Sequence, residues 1–183
     1  MINARFGTIR GLIRLGLSYV ELGSGRAHLL KVDHGAVTRL VFVCHGNICR
    51  SAFADVVARK AGLNVASLGL STSADQPAHG PAIEAAARLG FDMNDHRTTR
   101  AEDFVPQPGD LLLGMEVRHM VKLQGLAAYA QTPRTLLGLW TRPAMPHLHD
   151  PYKLHPLYMD VCLSRIEHAV GRLAKSFPGA VLS

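Results

Sequence analysis

The chain has few cysteines, few aromatic residues and no long apolar run. Its three cysteines, Cys44, Cys49 and Cys162, are too few and odd in number for a disulfide framework, so a reducing, cytoplasmic setting is expected. No apolar run approaches the roughly 18 residues of a membrane span. Charged residues interrupt the N-terminal apolar stretch, which is atypical of a signal peptide. We therefore expect neither a signal peptide nor a transmembrane segment.

The charged residues give the chain a basic balance. Twenty Lys and Arg against fourteen Asp and Glu give a formal net charge of +6. Such a balance suits an anionic partner, which can be a phosphorylated protein, a nucleic acid or an acidic membrane surface. The sequence has no long Lys/Arg run and no basic patch interleaved with aromatics, so we expect no nucleic-acid partner.

Residues 1–37 are predicted to form a basic extension ahead of a single domain over residues 38–183. Five basic residues against two acidic ones give the extension a net charge of +3. Apolar residues recur at helical spacing (Ile9, Leu12, Ile13, Leu17 and Val20). This predicts an amphipathic helix that ends near residues 23–25, followed by a short strand at 27–32. We expect its apolar face to pack on its own domain; a dimer contact, or docking on a partner or an anionic membrane, are the alternatives.

From Thr38 onward, short apolar strands alternate with helices. Strands are predicted at residues 40–43, 65–70, 110–114 and 135–139. Helices are predicted at residues 50–61, 80–89, 116–126 and 157–177, with one helical turn at 101–104. This alternation predicts an α/β fold, a three-layer sandwich in which a four-stranded parallel sheet carries helices on both faces. Ligand sites in such sheets lie beyond the carboxyl ends of the strands.

The loop after the first strand carries the residues best suited to chemistry. Cys44 and Arg50 bracket five residues between that strand and a helix N-terminus. Backbone N–H groups and the helix end favour an anion there, and an arginine fork can bind two of its oxygens. The same groups favour a reactive thiolate over a thiol. We predict that Cys44 is a nucleophile beneath a phosphate-sized anion; a buried structural cysteine is the alternative.

Other loop residues have expected supporting roles. Gly46 is expected to allow a turn that a Cβ would obstruct, and Asn47 to adopt a left-handed conformation and tie the loop with its amide. Ser51 is expected to donate a hydrogen bond to the Cys44 sulfur. His45 is expected to be neutral and to shape the pocket wall; a protonated His45 that helps the thiolate is the alternative.

The stretch Val43-Cys44-His45-Gly46-Asn47-Ile48-Cys49-Arg50-Ser51 resembles the signature of the low-molecular-weight protein tyrosine phosphatases. The resemblance spans roughly residues 39–177. It implies the four-stranded parallel sheet, a cysteinyl-phosphate mechanism, and no metal or other cofactor. It also implies phosphate binding by the loop residues, namely His45, Gly46, Asn47, Ile48, Cys49, Arg50 and Ser51.

The family takes its proton donor from an Asp-Pro-Tyr loop, which Asp150-Pro151-Tyr152 matches. In the expected cycle, Cys44 attacks phosphorus while Asp150 protonates the leaving phenolate and later activates water. Arg50 stabilises the phosphoryl oxygens. Tyr152 and Ile48 are expected to form a wall for the aromatic ring of the substrate.

Further roles follow from the resemblance. Ser67 and His96 best match the family residues that hydrogen-bond the loop Asn and Ser. Cys49 would form a reversible disulfide with Cys44.

Three histidines lie near Asp150 in sequence (His147, His149 and His155). They lack the spacing of a metal site, and we expect them to be solvated loop residues. Cys162 is expected in the core.

Three other functions remain open. An arsenate reductase of this fold often carries two further cysteines near residues 75–105, and none is present. A protein-arginine phosphatase typically has Thr where this chain has the bulkier Ile48. A non-catalytic phosphate-binding module would not need Cys44, Arg50 and Asp150 together. The favoured partner is a phosphotyrosine-containing protein, and the family alone implies a bacterial tyrosine kinase.

Overall fold

A sheet of four parallel strands forms the centre of the protein, which a computed structural model describes over residues 2–182. The strands are β1 (Arg39–Cys44), β2 (Val65–Gly69), β3 (Asp110–Gly114) and β4 (Arg134–Leu136), in the spatial order β2-β1-β3-β4. The predicted four-stranded parallel sheet is confirmed. The fourth strand is shorter than predicted, because Leu137–Trp140 turns into a 3₁₀ helix.

Helices cover both faces of the sheet. They are α1 (Ile2–Phe6), α2 (Ile9–Gly23), α3 (Arg50–Lys60), α4 (Gly80–Arg88), α5 (Val117–Gln124) and α6 (Pro156–Ser176). Leu40 and Phe42 of β1 join a core with α3, α4 and α6, whereas Val41 and Val43 join a core with α5. A strand buried on both faces reads as a continuous apolar run, which is why β1 was recognisable. The three-layer sandwich is confirmed.

The carboxyl edge of the sheet brings the functional segments together. Cys44 pairs with Gly69 of β2, and Val43 pairs with Gly114 of β3. A Cβ on Gly69 would lie 3.1 Å from the Asn47 Cβ and from the Gly46 carbonyl carbon. The loop after β1 can therefore rest on β2 only because position 69 carries no side chain.

Two short elements differ from the sequence-based expectation. No strand forms at residues 27–32, because His28 has a left-handed backbone (φ 52°) that interrupts an extended ladder. That segment instead joins β4 through Leu30 N, which donates to the Arg134 carbonyl. Residues 101–104 form a turn rather than a helical turn. The division of the chain at residue 37 stays a prediction.

Helix α2 packs on the domain through a face made mainly of small residues. The expectation that its apolar face packs there is wrong. Gly11, Leu15 and Ser18 are buried, whereas Ile13 and Val20 are 57% and 67% exposed. Ile9, Leu12, Leu17 and Tyr19 are exposed as well. A Cβ on Gly11 would approach the His149 ring to 2.8 Å, so only a small residue allows this close contact. Within residues 2–182, no helix has both the length and the apolar character that crossing a bilayer requires.

Candidate active site

The loop between β1 and α3 curls around the Cys44 thiol. The Cys44 Sγ lies 3.0 Å from the Ser51 Oγ, and the Asn47 backbone N–H donates to this sulfur at 3.2 Å. Cys44, Asn47 and Ser51 are all buried. The thiol therefore sits at the bottom of the loop, within hydrogen-bond distance of two donors.

Asn47 is the residue that ties the loop to its surroundings. Its backbone is left-handed (φ 52°), as expected. Its Nδ2 donates to Ser51 Oγ at 2.9 Å and to Ser67 Oγ at 3.1 Å, and its Oδ1 accepts from Thr99 N at 2.9 Å. The expected need for Gly46 is wrong, because a Cβ there would make an ordinary 3.4 Å contact with Ile48. The strained position of this turn is Asn47.

Ser67 and His96 both contact Asn47. Ser67 lies within β2, and its Oγ donates to Asp55 Oδ2 at 3.2 Å. His96 donates from Nε2 to the Asn47 carbonyl at 2.7 Å. Burial lowers the pKa of His96, although the bond to Asn47 opposes this shift. The lowered pKa favours the neutral form of His96, and the contact with a carbonyl places a proton on Nε2. Their predicted roles agree with these contacts and stay predictions.

The Arg50 residue is only 1% exposed, and three oxygen acceptors hold its guanidinium. Its Nη1 donates to Glu116 Oε1 at 2.5 Å and to the Leu148 carbonyl at 2.9 Å, and its Nη2 lies 2.7 Å from Asp150 Oδ2. Its buried Nε has no hydrogen-bond partner among residues 2–182. Burial alone would lower the pKa of Arg50, but Asp150 and Glu116 raise it above its usual value. Arg50 is a permanent cation with a donor left for an oxyanion.

Glu116 is a site residue that sequence reasoning missed. It is 3% exposed and also lies 2.8 Å from Arg118 Nε. Burial would raise the pKa of Glu116, but Arg50 and its neighbours hold it well below the usual range. The available signal was its position two residues after β3, at the edge where β1 also ends.

A cavity of about 520 Å³ opens above the thiol. Cys44, Arg50, Ile48, Asp150 and Tyr152 line it together, so the predicted nucleophile, cation, acid and wall share one pocket. The Asp150 Oδ1 accepts from the Tyr152 N–H at 3.3 Å. The His79 ring, which sequence reasoning also missed, meets the Tyr152 ring edge-on at 4.9 Å. The pocket has the size of a small-ligand site.

Two further predicted residues, His45 and Cys49, lie in this loop, and a third, Cys162, lies in α6. His45 is exposed, and burial together with Arg118 and Lys122 lowers its pKa, which favours the neutral form. Cys49 is buried, and burial, with a contribution from Cys44, raises the pKa of its thiol above the usual range. Cys162 lies in the core as expected.

The histidine-rich loop before Asp150 is folded inward. The expectation of solvated side chains is wrong for His147, which is 6% exposed and lies 3.6 Å from Glu116. His149 is half-buried and bonds through its two ring nitrogens to His147 and Thr8. His155 is exposed. The loop turns inward because the Leu148 carbonyl accepts a hydrogen bond from Arg50 Nη1. Within residues 2–182, no three His, Cys, Asp or Glu side chains converge as metal ligands.

The buried histidines make stability depend on pH. Burial lowers the pKa of His147 to about 4 and of His119 to about 3. In the unfolded chain these histidines take up a proton near pH 6.5, whereas in the folded protein they stay neutral to a lower pH. The contribution of the two neutral histidines to stability is therefore complete above pH 6.5 and is lost as the pH falls toward 4. We expect the free energy of unfolding to fall by up to about 1.4 kcal/mol per pH unit for each histidine. Urea unfolding between pH 7.5 and 4.5 measures this slope.

The matched comparison for this prediction uses two loop histidines. His147→Gln should flatten the slope, because the variant no longer takes up that proton on unfolding. His155→Gln, at an exposed position, should keep it. An unchanged slope in His147→Gln would contradict the assignment.

Comparison with known proteins agrees with this geometry. The family model for low molecular weight phosphotyrosine protein phosphatase matches residues 39–180. The probable low molecular weight protein-tyrosine-phosphatase EpsP of Ralstonia solanacearum is 28% identical over 138 residues, which cover 73% of this chain and 92% of the relative. Etp of Escherichia coli K12, a low molecular weight protein-tyrosine-phosphatase, is 29% identical over 116 residues, 62% of this chain and 77% of the relative.

Solved structures give the same result for the fold. The tyrosine phosphatase Wzb from Escherichia coli K30, crystallised with sulphate, superposes with a TM-score of 0.66 at 27% identity, covering 76% of this chain and 97% of that one. The match of the family model covers well over half of the sequence, from β1 to the end of α6 and beyond. The chain therefore belongs to the low molecular weight protein-tyrosine-phosphatase family.

Proposed function

We propose that this phosphatase hydrolyses phosphotyrosine in proteins through a cysteinyl-phosphate intermediate. The observation that carries the proposal is the shared cavity of Cys44, Arg50 and Asp150, in which Arg50 binds Asp150 directly. A nucleophile, a fixed cation and a carboxyl group are the three parts that such a reaction needs.

Substrate binding begins with an exchange of partners at Arg50. Glu116 and the Leu148 carbonyl hold Nη1, Nη2 lies against Asp150, and Nε has no hydrogen-bond partner within residues 2–182. The phosphate oxygens take Nε and compete with Asp150 for Nη2, because a fork can bind two oxygens of one phosphate. Asp150 is thereby released to face the oxygen of the leaving group.

The chemical steps then use two side chains. The Cys44 thiolate attacks phosphorus, and the bond to the phenolic oxygen breaks as Asp150 gives that oxygen a proton. The Asn47 N–H and the Ser51 hydroxyl stabilise the sulfur before attack and again when it leaves. Asp150 then takes a proton from water, which attacks the cysteinyl phosphate and releases inorganic phosphate and the thiolate.

The wall of the cavity supports a flat aromatic substrate. Ile48 and Tyr152 line the cavity, and Tyr152 remains 41% exposed, so a phenyl ring can stack on it. A protein-arginine phosphatase is the closest alternative: YwlE arginine phosphatase superposes with a TM-score of 0.65 at 25% identity, covering 75% of this chain and 93% of that one. Bulk at Ile48 is the feature that favours phenyl over guanidinium.

The test compares wild type, Cys44→Ser and Asp150→Asn on para-nitrophenyl phosphate. Cys44→Ser should abolish turnover, and Asp150→Asn should lower kcat by roughly 10²- to 10⁴-fold. Asp150→Asn should also bind inorganic phosphate more tightly, because the competing carboxylate is gone from Arg50. Equal inactivity of wild type and Cys44→Ser, with phosphate still bound, would instead indicate a phosphate-binding module.

Two further assays separate the enzyme alternatives. Phosphotyrosine and phosphoarginine peptides of the same sequence should differ, with higher kcat/KM on phosphotyrosine. Reduction of arsenate with a thiol donor should be negligible. Faster turnover of phosphoarginine would replace the proposed substrate class and leave the mechanism in place.

Glu116 is proposed to position Arg50. Glu116→Gln keeps the shape and removes the charge that the buried guanidinium depends on. We expect a loss of about 3 kcal/mol in the free energy of unfolding, since breaking a buried pair costs about that much. We also expect a lower kcat/KM on para-nitrophenyl phosphate. Glu84→Gln, on the exposed side of α4, is the control and should leave both unchanged. Full activity in Glu116→Gln would rule out the positioning role.

We also propose that Cys44 and Cys49 form a regulatory disulfide. Peroxide would oxidise the Cys44 thiolate to a sulfenic acid, and the Cys49 thiol would displace water from it. Both cysteines line the catalytic cavity, which supports this pairing. Mass spectrometry of peroxide-treated protein should detect the Cys44–Cys49 disulfide; a Cys44 sulfonic acid alone would argue against it.

The remaining proposals concern location and partners. We propose a cytoplasmic phosphatase acting on a phosphotyrosine-containing protein, with a bacterial tyrosine kinase as the partner that the resemblance implies. A dimer contact or docking through the extension is supported by the exposed apolar residues of α2. Light scattering over a concentration range separates a dimer from a monomer.

A further inference from the structure

A second cavity lies on the other side of the Asp150–Tyr152 segment from the catalytic one. Its volume is about 840 Å³, and we call it the basic groove. Helix α2 forms one wall with Arg10 and Arg14, and α5 forms another with Arg118 and Lys122. Asp150 and Tyr152 line both cavities, so the groove adjoins the catalytic site.

Helix α2 is held firmly against the loop that carries Asp150. Thr8 Oγ1 lies 3.2 Å from His149 Nε2, and the Tyr19 hydroxyl donates to the Ala144 carbonyl. Cβ atoms on Gly7 and Gly11 would both come within 2.8 Å of the His149 ring. The glycine-lined contact thus sets the distance between the α2 wall and the acid loop.

The groove has a surplus of positive charge. Arg118 is paired with Glu116, whereas Arg10 and Arg14 are exposed and form no ion pair within residues 2–182. Lys122 Nζ donates to a neutral acceptor, the Leu70 carbonyl, at 2.6 Å. Three carboxylates also line the groove. Glu116 and Asp150 are bound to Arg50, so among the described residues that line the groove only Glu21 offsets the charges of Arg10, Arg14 and Lys122.

We propose that the basic groove binds acidic residues that flank the phosphotyrosine of a protein substrate. The proposal rests on the proposed phosphotyrosine phosphatase activity. A peptide with its phosphotyrosine above Cys44 can cross the shared Asp150–Tyr152 wall and place its flank between α2 and α5. Two arginines in a concave site suit carboxylates of a peptide chain, because each guanidinium can bind a carboxylate with two parallel bonds.

The groove favours an acidic peptide over an anionic membrane surface. The arginines line a recess beside the catalytic cavity, whereas Ile13 and Val20 lie on the outer, exposed side of α2. The α2 wall also lies outside the region that the family model matches, which begins at residue 39. The groove is thus a specificity feature added to the phosphatase fold by the extension.

The test uses two phosphotyrosine peptides, one with acidic and one with neutral flanking residues, beside para-nitrophenyl phosphate. Arg10→Gln/Arg14→Gln should lower kcat/KM for the acidic peptide by about tenfold, mainly through KM. It should change the other two substrates by less than twofold. The loss should shrink at high salt, since exposed ion pairs are screened.

The control variant removes the same charge elsewhere. Arg172→Gln/Lys175→Gln, on exposed positions of α6 outside both cavities, also lowers the net charge by two and should leave all three substrates unchanged. Equal losses in both double variants, or on both peptides, would overturn the proposal. The proposal would also be overturned if Arg10→Gln/Arg14→Gln turned over the acidic peptide as well as wild type does. The same holds if the only defect of this variant were weaker co-sedimentation with anionic vesicles.

The experiment distinguishes failure of the proposed phosphotyrosine phosphatase activity from failure of the groove proposal. If no phosphotyrosine peptide is turned over while another phosphate monoester is, the catalytic proposal fails before the groove is probed. If both peptides are turned over at equal rates, only the groove proposal fails.

Discussion

The structure depends on burying one guanidinium without leaving its charge unpaired. Removing an ion from water costs several kcal/mol even after the protein relaxes, and arginine cannot escape this cost by losing its proton. Arg50 therefore needs oxygen acceptors close to its charge, and both Nη atoms have them. Glu116 supplies one from the end of β3, and Leu148 and Asp150 supply the others from the loop before α6. This one cation fixes the relative positions of three segments that lie far apart in the sequence.

The same charges connect binding to catalysis. Arg50 and its neighbours hold the pKa of Glu116 well below the usual range, and Glu116 is buried, whereas Asp150 is partly exposed, so we propose that the ion pair between Arg50 and Asp150 is the exchangeable one. In the proposed mechanism, a phosphate dianion that reaches Arg50 displaces the Asp150 carboxylate. The arriving substrate would thus free the Asp150 side chain to face the oxygen of the leaving group.

Sequence patterns predicted the parts whose signals are local. The buried run of β1, the spacing from Cys44 to Arg50 and the Asp150-Pro151-Tyr152 segment lie within short stretches. Glu116 and His147 were missed or misjudged, because nothing near them in sequence reveals a buried cation as their neighbour. The 3₁₀ turn after Leu136 lies in a stretch that the sequence predicts as strand, because a leucine-rich segment is compatible with both structures.

Helix α2 illustrates why a periodic pattern does not decide which face is buried. The spacing of its apolar residues correctly predicted an amphipathic helix, but burial of the apolar stripe was only the commoner outcome. Here the loop that holds Asp150 demands a close approach, which Gly7 and Gly11 permit and an isoleucine would not. Packing through glycines turns Arg10 and Arg14 toward the groove and leaves Ile13 and Val20 outside. The steric requirement of the acid loop therefore determines both the charge of the groove beside the active site and the apolar character of the outer surface.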